Sequence, residues 1–204
     1  MTRLFLITFL FILLGCDSPS PKQTFLLPDK KDINEIIETV INYDSTLLKN
    51  ITAANTNNIP MLLDLRKIRV ILIDTTTDVP PPVDLTTVSV FNLFNSLVDN
   101  QRFFSRADSL YFFFQNDAVK TFTIYKTLAE KLATTTLFEQ QQKHDSNQTI
   151  RYYDLTIPIF SADNKKAYIE WTTNCSGCGG ATSFYLEKII NKWTVVGWQR
   201  RWMN

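Results

Sequence analysis

Residues 152–202 read YYDLTIPIFSADNKKAYIEWTTNCSGCGGATSFYLEKIINKWTVVGWQRRW, and this stretch decides the fold. Apolar and polar residues alternate in four successive runs, a period that is typical of half-buried strands. The runs are separated by a turn at Asp163-Asn164, a Cys/Gly-rich corner at residues 175–180 and a two-residue loop at Asn191-Lys192. The stretch predicts an antiparallel meander of about four strands, with Pro158 at an edge or a bulge because it lacks an N–H group.

Residues 32–49 predict a helix that packs on this sheet. Its apolar residues recur at helical spacing on one face: Ile33, Ile36, Ile37, Val40, Ile41, Leu47 and Leu48. Asp32 and Glu35 are spaced as in a capping box at the start of a helix. With a further strand at residues 67–74, we expect an α+β fold. It consists of a one-faced antiparallel sheet of about five strands with the N-terminal helix packed on that face.

Two further segments have less regular patterns. Residues 85–98 predict a helix in their second half. Residues 138–149 are polar and rich in glutamine, which predicts an exposed loop. This loop contains His144, the chain's single histidine, and we expect it at the surface rather than in a catalytic role.

Length and charge limit the classes of function. The chain has 204 residues, 45% of them hydrophobic, which suffices for one domain of ordinary size and a processing segment. The formal net charge is +1, and charges of both signs are interspersed. Nothing in this balance attracts nucleic acid, so we expect no nucleic-acid partner.

The N-terminus carries an export signal. Arg3 precedes an almost unbroken apolar run at residues 4–14, which suits the hydrophobic region of a signal peptide and is too short to span a bilayer. The run ends in Leu13-Leu14-Gly15-Cys16. This ending resembles the lipobox of bacterial lipoproteins, an aliphatic and a small residue before cysteine. The resemblance implies that Gly15 is the last residue of the signal peptide and that Cys16 becomes the lipidated N-terminus.

This resemblance sets the expected organisation of the chain. Residues 1–15 form the signal peptide, residues 16–30 a lipidated tether rich in serine and proline, and residues 31–204 a single α+β domain. The expected location is the bacterial cell envelope, where the N-terminal lipid binds a membrane. We favour the outer membrane over the inner one.

The Cys-x-x-Cys pair is the sharpest candidate for chemistry. With Cys16 lipidated, Cys175 and Cys178 are the remaining thiols of the chain, and an exported domain lies in oxidising surroundings. The pair predicts a small structural disulfide or a free pair between two strands. The alternative is a thiol–disulfide oxidoreductase, which would place its first cysteine at a helix N-terminus. A zinc site needs more ligands than these two cysteines and His144 supply, so we expect no metal.

Other candidate residues have simpler explanations. Glu170 and Glu187 could pair across neighbouring strands, although carboxylates on the polar face of a sheet are usually solvated. Four aromatic residues could line a concave sheet face or pack in the core: Tyr168, Tyr185, Trp193 and Trp198. No nucleophile elbow, P-loop or dinucleotide fingerprint occurs, so we expect neither catalytic residues nor a cofactor.

The second half of the chain resembles a group of uncharacterised envelope lipoproteins of Bacteroidetes type. Its matching features are Phe104-Ser105 before Asp108 and Gln115, the run at residues 158–164, the Cys/Gly corner and the Tyr185–Trp193 segment. The Lys-x-x-Asn-Lys-Trp ending is similar to that of α+β domains with curved sheets, including NTF2-like and cystatin-like ones. The resemblance implies a fold and a location but no activity. We therefore expect a non-enzymatic binding or interaction module for a protein or small-molecule partner, with the envelope thiol–disulfide oxidoreductase as the alternative. A hydrolase that uses carboxylates is a third possibility.

Overall fold

The computed structural model describes residues 25–52, 58–72, 87–176 and 178–203. The predicted signal peptide, residues 1–15, lies outside these ranges, as does the predicted tether up to residue 24. Cys16 and Gly15 therefore have no structural description.

Helices and strands are interspersed along the described chain. The helices are α1 Lys30–Tyr43, α2 Ser45–Ile51, α3 Val90–Asn95, a short 3-10 helix Arg106–Asp108, α4 Ser109–Ala118, α5 Lys126–Ala129 and α6 Leu137–Asp145. The strands are β1 Met61–Leu62, β2 Arg69–Ile71, β3 Thr87–Ser89, β4 Leu97–Val98, β5 Gln101–Arg102, β6 Thr134–Thr135, β7 Arg151–Leu155, β8 Ile159–Phe160, β9 Lys166–Cys175, β10 Cys178–Ile189 and β11 Lys192–Met203.

A seven-stranded mixed sheet forms the centre of the described structure. Its strand order is β11-β10-β9-β7-β1-β6, and β8 also pairs with β9. Strands β7 to β11 pair antiparallel, whereas β1 runs parallel to both β6 and β7. The α+β class is confirmed, but the expectation of a purely antiparallel sheet is wrong. Strands β1 and β6 are two residues long each, too short to show an alternating pattern in the sequence.

Helix α1 packs on one face of this sheet. Its buried Ile36, Ile37 and Val40 belong to the same hydrophobic cluster as Ile169 of β9 and Phe184 of β10. Each fully buried aliphatic side chain of this kind contributes roughly 1.5–3 kcal/mol. The cluster fixes which side chains of β7, β9 and β10 face the helix, and so fixes those that face away.

The predicted helix at residues 32–49 is two helices, because Asp44 interrupts it. Asp44 has an extended backbone, and its carboxylate accepts a hydrogen bond from the Leu47 N–H at 3.0 Å, as a helix cap does.

The predicted capping role of Asp32 and Glu35 is also wrong. The cap of α1 is Asp29. Asp32 accepts from the Trp193 indole at 3.1 Å and Glu35 from the Trp193 N–H at 3.2 Å, which ties α1 to β11.

The sheet has a second face, which carries Tyr168, Glu170 and Thr172 of β9, and it is also buried. Tyr168 and Tyr185 pack there against a second cluster that includes Phe103, Phe104, Phe112 and Val88. Glu170 and Thr172 are only 2% and 5% exposed. The expectation of a one-faced sheet is therefore wrong. The elements that cover this face include β2, β3, α3 and α4, and all of them lie far from the meander in sequence.

The polar segment at residues 138–149 is mostly a helix and not a loop. Thr136 accepts a hydrogen bond from the Glu139 N–H at 3.2 Å, and Glu139 accepts one from the Thr136 N–H at 2.9 Å. This reciprocal capping box starts α6. Gln140 is buried, whereas His144 has 65% of its side chain exposed, so the surface location expected for His144 is confirmed.

The closing hairpin turns one residue earlier than the sequence predicts. Ile189 pairs with Lys192, so Ile190 and Asn191 form the two-residue loop, with φ angles of 48° and 61°. A two-residue hairpin loop of this kind requires positive φ at both positions. Asn191 tolerates that region, whereas a β-branched residue such as Ile190 is strained in it.

Replacing Ile190 by asparagine is expected to raise the free energy of unfolding by about 1 kcal/mol. Ile190 is 92% exposed, so the substitution removes backbone strain and no packing. Urea unfolding measures the change. The control is Ile189→Asn, one residue earlier within β10, which gives no stabilisation. Equal effects of the two variants would contradict the strained turn.

Candidate functional site

A pocket of about 470 Å³ lies on the second face of the sheet, beside the start of α6. Tyr153 and Leu155 of β7 face α1 in the first cluster, so Tyr152 and Asp154 point the other way, into the pocket. The pocket is lined by Leu62, Asp64, Leu65, Arg66, Thr136, Leu137, Tyr152, Asp154, Thr172 and Asn174.

The wall of the pocket is largely apolar. Leu62 comes from β1, the Tyr152 ring from β7, and Leu137 from the first turn of α6. Leu137 is 64% exposed, so it forms the rim. The capping box of Thr136 and Glu139 fixes the backbone next to it. A concave apolar wall with a few polar groups at its base is the usual form of a small-molecule site.

Arg66 reaches the base of the pocket because its backbone is bound to the end of β7. Its N–H donates to the Leu155 carbonyl at 2.8 Å, and its carbonyl accepts from the Ile157 N–H at 2.9 Å. These bonds form a parallel bridge to Thr156. The guanidinium is thereby directed along the second face, over β7 and β9.

The base of the pocket is a network of hydrogen-bonded polar side chains. Arg66 Nε donates to Asp154 Oδ1 at 3.2 Å, and Arg66 Nη2 donates to Thr172 Oγ1 at 3.1 Å. Asn174 Nδ2 donates to Asp154 Oδ2 at 3.0 Å. Asp154 is 6% exposed, and a carboxylate this buried needs partners on both oxygens. The base is therefore rigid and prearranged.

Glu170 continues this network beneath the pocket. Arg66 Nη2 lies 3.8 Å from Glu170 Oε2, and Arg201 Nε lies 3.0 Å from Glu170 Oε1. The Tyr168 hydroxyl donates a short hydrogen bond to the same Oε1 atom. The two arginines and the carboxylates of Asp154 and Glu170 balance in charge, which allows the group to be buried.

A bulge in β11 places Arg201 over Glu170. Thr182 pairs with Arg200 and Ala181 pairs with Trp202, which leaves Arg201 as the extra residue of β11. A bulge of this kind redirects a side chain relative to its neighbours along the strand. The register shift therefore brings the guanidinium of Arg201 to the second face.

Burial dominates the electrostatics of this network. It raises the pKa of Glu170 above the ordinary 4.5, although Arg201, the Tyr168 hydrogen bond and Arg66 each lower it. Burial, followed by the charge of Glu170, raises the pKa of Tyr168 well above 10.0. The pKa of Tyr152 is also raised, first by burial and then by Asp154. Both phenols therefore stay protonated at neutral pH.

Cys175 and Cys178 are the backbone positions at which the ladder of β9 and β10 ends. They are direct partners in the antiparallel ladder, joined by residues 176–177. Cys175 is the last residue of one strand and Cys178 the first of the next, so neither lies at a helix N-terminus. The Cys178 side chain lies outside the described part of the structure, and a bond between the two sulfurs stays a prediction.

The structure separates the other predicted candidates. Glu187 aligns with Lys166 and Glu170 with Ser183, so the two glutamates do not pair. The expectation that both are solvated is wrong for Glu170, which is 2% exposed.

The four aromatic residues do not share a face. Tyr168 and Tyr185 pack on the second face with their ring centroids 5.4 Å apart, and Trp193 packs against Phe160 in the first cluster. Trp198 is 57% exposed.

Sequence reasoning missed Arg66, which organises the base of the pocket. Its partner Asp154 is 88 positions away in the chain, so no local motif joins them. The available signal was the alternation of Leu63 and Leu65 with Asp64 and Arg66, which predicts a short extended segment with both charges on one side.

Fold and pocket together define the chain as an α+β domain with a pocket of small-molecule size on one face of a mixed sheet. Comparison with protein-family models, with curated proteins and with solved structures finds no match. No helix within the described ranges is long and apolar enough to cross a membrane. In the same part of the chain, no group of three or more His, Cys, Asp or Glu side chains is arranged to hold a metal ion.

Proposed function

We propose that this chain is a lipid-anchored protein of the bacterial envelope and that its domain is a non-enzymatic binding module. The lipobox ending at Cys16 supports the anchor, and the pocket over Arg66 and Asp154 supports the binding role. A ligand with an apolar body fits this pocket, whose volume of about 470 Å³ lies in the usual range for small-molecule sites.

The observation that carries the binding role is the satisfied base of the pocket. Both oxygens of Asp154 accept hydrogen bonds, from Arg66 and from Asn174. Each Asp154 oxygen keeps a further acceptor site, so a carboxylate fixed in this way can orient a ligand. The base therefore supports recognition of a ligand.

The alternative, an envelope thiol–disulfide oxidoreductase, has less support. Thiolate chemistry is promoted where a helix dipole or a nearby cation lowers the thiol pKa. Cys175 and Cys178 instead lie at the ends of two hairpin strands. A structural disulfide across this turn is the simpler explanation of the cysteine pair.

We also propose a finer class for the fold. The antiparallel run from β7 to β11, with α1 across one face, supports an NTF2-like or cystatin-like curved sheet. The parallel pairs of β1 depart from the antiparallel sheet of that expectation.

Leu137→Ala is expected to weaken the binding of a small apolar probe about three- to tenfold, because it removes most of one wall side chain. The probe is 3-phenylpropanol, a neutral molecule, and its binding to the full chain in detergent is measured by ligand-observed NMR. The matched control is Phe138→Ala. Phe138 is also exposed, at 71%, and is the next residue of α6, but it does not line the pocket.

Both variants are measured in the same detergent, so partition of the probe into micelles affects the two measurements equally. Equal binding by Leu137→Ala and Phe138→Ala would show that the probe does not occupy this pocket. The proposed binding role would then lose its main support.

A further inference from the structure

We propose that the pocket selects a ligand that carries a protonated amine on its apolar body. This inference rests on the proposed binding function and adds to it the chemical class of the ligand. The placement of charges around the pocket supports this inference.

The charge of the lining is negative once the buried network is counted. Arg66 and Arg201 balance Asp154 and Glu170, so these groups contribute no net charge. Asp64 remains, and it lines the same pocket. It lies two residues before Arg66, and both residues line the pocket. Asp64 is exposed and accepts a short hydrogen bond from the Thr123 hydroxyl.

In this pocket an anionic head group meets a cation that is already engaged by the protein's own groups. The cation nearest the base is Arg66, whose Nε and Nη2 atoms already contact Asp154, Thr172 and Glu170. A ligand carboxylate would have to compete with Asp154 and Glu170 for the guanidinium. It would also lie near Asp64, a charge of the same sign that lines the pocket and lies outside the balanced network.

An ammonium group meets acceptors instead. Asp64 lies at the exposed side of the pocket and offers carboxylate oxygens. Tyr152 lines the same pocket, and tyrosine is among the side chains whose rings attract a cation. Leu62 and Leu137 are then available for the apolar body. The lining therefore matches an amphipathic amine better than an acid or an alcohol of the same shape.

The test compares three probes with one apolar body: 3-phenylpropylamine, 3-phenylpropanol and 3-phenylpropanoate. Binding to the full chain in detergent is measured at pH 7 by ligand-observed NMR. The amine is expected to bind about tenfold more tightly than the carboxylate, with the alcohol between them, and salt is expected to reduce the difference.

The variant Asp64→Asn isolates the charge. It keeps an oxygen for the Thr123 hydroxyl and should reduce the amine preference over the carboxylate to about threefold or less. If the alcohol or the carboxylate binds at least as tightly as the amine, and Leu137→Ala weakens that binding, the amine inference is overturned while the binding function stands. If no probe is sensitive to Leu137→Ala, both fail.

Discussion

Replacing Glu170 by alanine is expected to lower the free energy of unfolding by about 3 kcal/mol, as measured by urea denaturation. Glu170 is 2% exposed and lies between Arg66 and Arg201. Its removal leaves both guanidinium groups short of an anion and the Tyr168 hydroxyl without its acceptor. The two arginine side chains are 22% and 26% exposed, so water compensates in part and the effect stays at the lower end of the range for buried pairs.

Glu187→Ala is the matched control on the neighbouring strand. Glu187 pairs with Lys166 at 3.5 Å, but both side chains are more than a third exposed. A surface ion pair of this kind contributes about 0–1 kcal/mol. Similar losses for Glu170→Ala and Glu187→Ala would mean that the network beneath the pocket adds no stability beyond an ordinary surface pair.

The raised pKa of Glu170 also predicts the pH dependence of stability. Because its folded pKa lies above 4.5, the folded protein takes up a proton more readily than the unfolded chain does. The contribution of this group is fully present below the unfolded pKa and is lost as pH rises through the folded pKa. Relative to Glu170→Gln, the wild type should therefore gain stability as the pH falls from neutral toward 4.5. The opposite slope would show that the arginines dominate over burial.

Periodic patterns in the sequence predicted the parts of the fold that are long and local. Strands β9 and β10 have 10 and 12 residues and a regular alternation, and the apolar stripe of α1 is equally clear. Strands β1 and β6 left no such signal. Their pairing is parallel, and it joins Met61 to residues more than seventy positions away.

The site was harder to predict, because alternation alone does not show whether the second face of a strand meets water or protein. Glu170 and Thr172 have the pattern of a solvated face, yet both are buried. They are buried because Arg66 and the bulged Arg201 supply partners for them. Arg66 is placed by a long-range bridge to Thr156 and Arg201 by a register shift in β11. Neither feature can be predicted from the local sequence.

Cys16→Ser is expected to abolish both the lipid and the processing of the chain. The lipobox resemblance makes the Cys16 thiol the site of the thioether-linked lipid, and a serine hydroxyl does not replace it. One acyl chain gives only marginal membrane binding, whereas several, at about 0.8 kcal/mol per buried methylene, hold a protein firmly. In a bacterial host, labelled palmitate should therefore appear on the wild type and be absent from the variant.

The mass of the purified chains gives a second readout. Wild type should lack residues 1–15 and carry added acyl mass on Cys16, whereas Cys16→Ser should retain those residues. Cys175→Ser is the control, because it removes a thiol elsewhere in the chain and should keep both the label and the cleavage. Palmitate on Cys16→Ser, or its loss from Cys175→Ser, would assign the lipid to another residue. A purified wild type that keeps residues 1–15 would remove the support for export, and with it the oxidising surroundings on which the predicted disulfide of Cys175 and Cys178 depends.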